Sequence, residues 1–458
     1  MSGHSLTRRA FLGSSIALAA QAPTKPNILL LLADNWAFPH ASIYGDPVLH
    51  TPTFDRLASE GLLFKSAFAP NPSCSPSRSS LLTGQETHRL GEAASLYGLL
   101  GAHHVTYVDL LEKAGYFCGF SGKGWGPGSS ENRKENPAGR QFKDFHAFLA
   151  AKPAGAPFCF WCGSHDPHVP WNRGQERKAR FDKSKVVVPP HLPNGDVVRE
   201  DILSYYAEVE TFDSECAELL TFVDMDKTVV VMTSDNGWQM PRGLGNCYDL
   251  GVRIPLAIRF PNKQHTGVRE DFVSIADLAP TFLDAARVKK PAAMTASSLL
   301  SSRPADHIFL ERERHANVRK GDLSYPVRGI RTRDFLYLRN FEPDRWPAGD
   351  PEFYWAVGSY GDVDDSPTKQ LLLREKPQPY FDLTLGKRPT EELFDLRNDP
   401  GQVRNVASEP AYAKQRRELA GRVDSWMKAT GDPRAAKGRT EFWDKAPYTG
   451  PKFKGTPK

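Results

Sequence analysis

Asn27-Ile28-Leu29-Leu30-Leu31-Leu32-Ala33-Asp34-Asn35 is the stretch that decides the fold. Its apolar run does not alternate and is too short for most buried helices, so it suits a strand covered on both faces, as in parallel α/β sheets. Similar runs recur at 116–120, 157–161, 228–232 and 255–260. Helical patterns lie between them. Pro52 suits a first helical turn, Phe54, Leu57 and Ala58 share one face, and Gly61 marks the stop. A longer helix is predicted from Ile202, Tyr205, Tyr206, Val209, Phe212, Cys216, Leu219 and Leu220. Strand and helix signals in alternation predict a layered α/β domain with a large, mixed, mostly parallel sheet sandwiched by helices.

The residues able to do chemistry follow these strands directly. Asp34 ends the first run, Lys123 follows Phe120, His165 and His168 follow the run at 157–161, and Asp235-Asn236 follows the run at 228–232. In open α/β sheets ligands bind beyond the carboxyl ends of the strands, so these groups are expected to share one site.

Composition sets the outer bounds. The 458 residues are 40% hydrophobic and 25% charged with a net charge of +5, enough for a large core and without a nucleic-acid-binding profile. The 36 Gly and 37 Pro follow no collagen-like period, which indicates a loop-rich globular protein. No internal stretch reaches the ~18 apolar residues of a membrane span. Residues 1–22 read as an export signal: Thr7-Arg8-Arg9-Ala10-Phe11-Leu12-Gly13 has twin-arginine character, an apolar run follows, and Ala20-Gln21-Ala22 offers a cleavage site. The expected destination is the periplasm or the exterior. The body at 23–320 is expected to be the catalytic domain. Beyond it, strand signals at 328–341 and 391–396 without strand–helix alternation predict a smaller antiparallel α+β subdomain at 321–433, and 434–458 reads as a basic tail. Six cysteines are too few for a disulfide scaffold, and Cys159-Phe160-Trp161-Cys162 sits inside an apolar run, so core thiols are expected.

Cys74-Ser75-Pro76-Ser77-Arg78-Ser79-Ser80-Leu81-Leu82-Thr83-Gly84 carries the strongest chemical signal. Pro76 suits a first helical turn, Leu81 and Leu82 supply a core face, and Gly84 the stop. Cys74 would then stand at a helix N-terminus beside Arg78, where dipole and guanidinium favour an anion and would acidify a thiol.

This segment resembles the signature of the type I sulfatases of the alkaline-phosphatase superfamily, Cys-x-Pro-Ser-Arg followed by Leu-Thr-Gly. The resemblance extends from Pro26-Asn27-Ile28 to Glu392-Leu393-Phe394-Asp395-Leu396, Asp399-Pro400 and Asn405. It implies that Cys74 is converted to formylglycine (3-oxoalanine) by a formylglycine-generating or anaerobic sulfatase-maturing enzyme. The hydrated aldehyde is a geminal diol: one oxygen attacks sulfur, and loss of a proton from the other lets sulfate leave, where an ordinary Ser would retain a slowly hydrolysed ester. The resemblance further implies a divalent cation held by Asp34, Asn35, residue 74, Asp235 and Asn236, all hard oxygen donors that favour Ca²⁺, with Mg²⁺ second. It assigns Arg78 to holding the formylglycine, Lys123 to sulfate, and His168 to the leaving-group oxygen or sulfate, with His165 facing the substrate.

Three positions depart from the family pattern. Asn35 stands where a second aspartate is usual, Trp125 where a histidine follows the lysine, and Leu244 where a second lysine precedes Tyr248-Asp249-Leu250-Gly251-Val252-Arg253. The first change removes a negative charge and the third a positive one, so the site's net charge is kept. Arg242 is placed to reach the sulfate instead, and Trp125 either walls a sugar pocket or packs in the core. Gly122-Lys123-Gly124-Trp125-Gly126-Pro127-Gly128 and Phe341-Glu342-Pro343-Asp344-Arg345-Trp346-Pro347 resemble the heparan N-sulfatase branch, which makes Arg345 and Trp346 candidate sugar contacts. The implied substrate is a sulfated carbohydrate, as O- or N-sulfate. A formylglycine-dependent phosphodiesterase or phosphonate hydrolase, and a non-catalytic binder of sulfated glycans, stay open beside it.

Overall fold

A computed structural model describes residues 1, 25–301, 304–352, 358–437 and 440–449. Residues 2–22 of the expected signal segment, with its twin-arginine motif, and the end of the tail beyond 449 lie outside the described residues.

The opening stretch forms strand β1 (Asn27–Ala33) at the middle of a nine-stranded sheet. The others are β2 (Leu62–Phe68), β3 (Phe117–Gly122), β4 (Arg140–Gln141), β5 (Phe158–Gly163), β6 (Thr228–Ser234), β7 (Arg253–Arg259), β8 (Gly267–Arg269) and β9 (Val273–Ser274). Their order is β4-β3-β5-β1-β6-β7-β2-β8, with β9 also on β2. β3, β5, β1 and β6 are parallel, whereas β7 runs antiparallel to both β6 and β2. The mixed, mostly parallel sheet is thus as expected.

Helices cover both faces, which explains the lack of alternation in β1. Ile28, Leu30 and Leu32 join a core with Leu81 and Leu82 of α2 (Cys74–Thr83) and Leu111 of α3 (Tyr107–Lys113). Leu29, Leu31 and Ala33 face a second core with Phe54 of α1 (Pro52–Ser59), Phe148 of α4 (Phe145–Ala151) and Tyr205 of α5 (Asp196–Leu220). Each such leucine, fully buried, contributes about 1.5–3 kcal/mol. Two apolar faces on one strand are therefore a structural requirement. All six cysteines are free thiols, five of them buried.

The smaller sheet has four antiparallel strands, β10 (His307–Arg312), β11 (Val327–Thr332), β12 (Phe335–Asn340) and β13 (Glu391–Asp395). It begins at His307, ahead of the boundary expected at residue 320, and the stretch at 328–341 is a hairpin rather than one strand. One face packs on the large domain through Leu310, Leu336 and Phe394 against Phe68 and Tyr248; the other takes Leu419, Val423 and Met427 of the helix Ala413–Thr430. The described part of the tail wraps back. Trp443 is fully buried and donates from Nε1 to Gly91 O at 2.9 Å, and Arg314 Nη2 donates to Ala446 O at 3.0 Å. Among the described residues no helix is long and apolar enough to cross a membrane.

Candidate functional site

Parallel pairing sets the strand ends level. Gly122 of β3 lies beside Gly163 of β5, Leu32 of β1 beside the same Gly163, and Ala33 beside Ser234 of β6. Asp34, Lys123, His165 and Asp235 therefore leave the sheet at one edge. The approach there is close: Lys123 N donates to Gly163 O at 2.8 Å, and a Cβ on Gly163 would fall 1.9 Å from Lys123 O. Only glycine fits.

Helix α2 brings Cys74 to that edge, with Ser73 as the preceding cap residue. Cys74 Sγ lies 3.6 Å from Asp34 Oδ1 and 4.0 Å from Asn35 Oδ1. One ligand atom from each of Asp34, Cys74 and Asp235 falls within 4.8 Å of the others, and all three residues are buried. Asn35 adopts φ 78°, donates from N to Asp235 Oδ1 at 3.2 Å, and donates from Nδ2 to Asn236 Oδ1 at 2.7 Å and Gly237 O at 3.1 Å. The two Asp-Asn pairs thus converge, as their positions after adjacent strands predict.

An arginine, a lysine and a histidine meet these acids. Arg78 donates from Nε to Asp235 Oδ2 at 2.8 Å and from Nη1 to the carbonyls of Lys123 and Gly124 at 2.8 and 2.7 Å. Its Nη2 stands 3.8 Å from Asp34 Oδ1 and has no hydrogen-bond partner among the described residues. Lys123 Nζ is 2.5 Å from Asp34 Oδ2. His168 Nδ1 is 2.6 Å from Val169 O, and since a carbonyl only accepts, that nitrogen carries the proton and Nε2 is left free. Burial alone would raise the Asp34 carboxyl, but Lys123, His168 and Arg78 hold it well below the usual range. For Asp235 burial prevails over Arg78 and the carboxyl is pushed up.

Cys74 behaves opposite to its sequence expectation. Burial pushes the thiol up to about 12; Asp34 and Asp235 add to this against the pull of Lys123 and Arg78. A helix N-terminus acidifies a thiol only where water or free cations face it. Here the cations are already matched by carboxylates.

Asp34, Lys123, His165 and His168 line a cavity of about 510 Å³, with Gly126, Pro127 and Arg173 on its wall. His165 is exposed at the cavity, and its imidazole is shifted down, first by partial desolvation. Four expected substrate contacts are placed elsewhere. Trp125 belongs to the core and donates from Nε1 to Ser79 Oγ at 2.8 Å, so the bulk after Lys123 packs inward and leaves Gly126 and Pro127 on the wall. Arg242 is buried, its Nη1 on Leu383 O at 2.5 Å, its Nη2 on Gln402 O, and its guanidinium 3.8 Å above the Tyr248 ring. Arg345 is paired with Asp444 at 3.0 Å and donates to Ser324 O at 2.8 Å, pinning the tail. Trp346 packs against Tyr360 with ring centroids 5.7 Å apart. Leu244 is buried, as an apolar replacement there requires.

Sequence reasoning passed over His315, whose Nδ1 lies 2.7 Å from Ser73 Oγ beside Cys74. The two are separated by 242 residues, and no local pattern announces the pairing.

A family model described as Sulfatase matches residues 26–145 and 131–288. N-sulphoglucosamine sulphohydrolase of Homo sapiens is 30% identical over 471 residues, covering 89% of this chain and 91% of that protein. A solved structure described as in complex with its substrate D-glucosamine-2-N,6-O-disulfate superposes with a TM-score of 0.63 at 18% identity, over 91% of this chain and 100% of that one. A phosphonate monoester hydrolase of Agrobacterium radiobacter superposes with a TM-score of 0.63 at 18% identity, over 88% of this chain and 96% of that one. At such identities both structures speak for the fold alone. With the family match running through all nine strands of the large sheet and a 30%-identical relative spanning most of both chains, the protein belongs to the sulfatase family, sulfuric ester hydrolases of the alkaline-phosphatase superfamily.

Proposed function

We propose that the chain removes sulfate from a sulfated carbohydrate, with residue 74 acting in its formylglycine form and a divalent cation held by Asp34, Asn35, Asp235 and Asn236. One observation carries this reading: Asp34, Cys74, Asp235, Arg78 and Lys123, from four separate elements, meet at the cavity edge. The donor set fits a hard cation, since the buried carboxylates of Asp34 and Asp235 converge with the side-chain amides of Asn35 and Asn236, all oxygen donors. Ca²⁺ is favoured over Mg²⁺ by the flexible carboxylate–amide set. When bound, the cation would polarise the sulfuryl oxygens and favour deprotonation at residue 74. The formylglycine hydrate would supply the attacking oxygen and a second hydroxyl whose deprotonation expels sulfate.

The chain's own side chains do the rest. Arg78, fixed by Asp235 and two carbonyls, holds its unpartnered Nη2 toward residue 74 and Asp34, where negative charge develops. Lys123 Nζ stabilises charge on the transferring group. His168, with Nδ1 held by Val169 O, presents Nε2 to the leaving-group atom and, in its doubly protonated form, can pass it a proton. His165 lines the same cavity and is assigned to the sugar. The signal peptide reading assigns the protein to the periplasm or exterior, after maturation by a formylglycine-generating or anaerobic maturing enzyme.

Side-by-side turnover of an aryl sulfate, an aryl phosphate and an aryl phosphonate by enzyme co-produced with a maturing enzyme tests the reading. The sulfate is expected to give the highest kcat/KM and to lose it on chelation. A preference for phosphorus esters would move the chain to the phosphonate hydrolase reading, and no turnover with an aldehyde present at residue 74 would support the glycan binder.

A further inference from the structure

Between β12 and β13 the smaller domain sends a segment back over the large one. Asp362 anchors it: Oδ2 accepts from Arg312 and Arg319 at 2.6 and 2.5 Å, and Oδ1 accepts from Ala316 N at 3.0 Å. The neighbouring His315 is thereby fixed against Ser73 Oγ, next to Cys74. Val363 is buried in the large domain's core, and Thr368 N donates to Asp201 of α5 at 2.9 Å. Between these anchors Asp364 is half-buried.

Its carboxylate is aimed by one side chain. Gln239 donates from Nε2 to Asp364 Oδ2 at 2.5 Å and accepts from Val169 N at 2.6 Å. Val169 is on the cavity wall beside His168. Asp364 is therefore one glutamine away from the catalytic histidine's loop. Its charge is also one of those that raise the Tyr97 phenol, after burial, and that act on His315, the residue on Ser73. Among the described residues Asp364 accepts a hydrogen bond on Oδ2 alone, so Oδ1 is left as an acceptor for a ligand.

We propose that Asp364 is a specificity-determining residue, whose carboxylate accepts hydrogen bonds from hydroxyl or amino groups of the sugar carrying the scissile sulfate. This rests on the sulfated-carbohydrate reading of the site and narrows it. A carboxylate in that position favours a hexose or hexosamine, whose ring substituents donate, and disfavours a uronic acid, whose own carboxylate would be desolvated against a like charge. The apolar Leu244 and the inward-turned Arg242 leave no cation from that segment to offset the repulsion.

Calorimetric binding to the full-length, unconverted chain, with Asp364→Asn as the variant, tests it. Asn keeps an oxygen for Gln239 but loses the charge. The probes are D-glucosamine-2-N,6-O-disulfate, a 2-O-sulfated uronic acid and an aryl sulfate. Expected is a roughly tenfold or greater weakening for the glucosamine disulfate, no change for the sugar-free aryl sulfate, and tighter binding of the uronic acid. Equal weakening of sugar and aryl sulfate would reduce Asp364 to a support for the Val169–His168 loop and overturn the proposal, as would unchanged sugar binding or a wild type that prefers the uronic acid. Turnover after maturation is read separately, so failure of the sulfatase mechanism would leave the binding result standing on its own.

Discussion

Lys123 Nζ stands 2.5 Å from Asp34 Oδ2, joining the ends of β3 and β1 across the intervening β5. The pair is buried, with the lysine side chain 15% exposed and the aspartate 1%. Removing one partner of such a pair leaves an uncompensated charge and typically costs about 3–5 kcal/mol. Lys123→Met is expected to lower kcat/KM by roughly 100–1,000-fold, the scale of one lost electrostatic stabiliser, and to lower the Tm of the metal-free protein. Steady-state kinetics with metal in excess, beside thermal unfolding in chelator, separate the two effects.

Asn35 both donates and faces the candidate cation site. Asn35→Asp would remove the Nδ2 bonds to Asn236 Oδ1 and Gly237 O and set a carboxylate against those oxygens. The metal-free protein should lose about 1–3 kcal/mol in urea unfolding, while calorimetric affinity for Ca²⁺ should rise, because three carboxylates would then face the ion. Weaker metal binding would remove Asn35 from the ligand set.

Arg242 is expected to matter for folding and not for the substrate. Arg242→Met should lower stability by about 2–4 kcal/mol, by freeing the carbonyls of Leu383 and Gln402 and leaving the Tyr248 ring uncovered. KM of the remaining folded enzyme should be unchanged. A large rise in KM at normal stability would return Arg242 to the sulfate.

The pH dependence of stability has a contribution far from the site. Glu311 of β10 accepts from the backbone N of Thr87 and His88 at 2.6 and 3.0 Å, and from His88 Nδ1 at 2.8 Å. Burial would raise Glu311, but His88 and Arg328 bring it down from 4.5 to about 2. Burial would lower His88, but Glu311 raises it above 6.5. The Glu311 contribution is thus complete above about pH 4.5 and lost as pH falls toward 2; the His88 contribution is complete below about pH 6.5 and lost as pH rises through its raised value. Chemical denaturation across pH should show a difference between wild type and Glu311→Gln that is largest between those limits.

The sequence was most informative where chemistry and strand ends coincide. Asp34, Lys123, His165, His168 and Asp235 each follow an apolar run, and parallel pairing turns that local signal into one location. Strand β2 was not legible, because Lys65 and Ser66 interrupt its apolar residues and the pairing with β7 shifts register between Phe64 and Ala67. Arg242 was misplaced for a reason of distance: its partners are 141 and 160 residues away, so proximity to Leu244 in sequence said nothing about where the side chain turns. Trp125 fills the core because Ser79 of α2 meets its indole N–H, a contact between two segments that periodicity treats separately. His315 lies in the smaller domain, and only the docking of that domain brings it to Ser73, beside Cys74.

The most direct test couples the state of residue 74 to turnover. Preparations made with graded amounts of maturing enzyme are measured for the fraction of aldehyde in the peptide containing residue 74 and for sulfate release from a sulfated glucosamine. Sulfate release should rise in proportion to the aldehyde fraction and vanish in Cys74→Ala. Release that is independent of the aldehyde, or that survives in Cys74→Ala, would contradict residue 74 as the nucleophile.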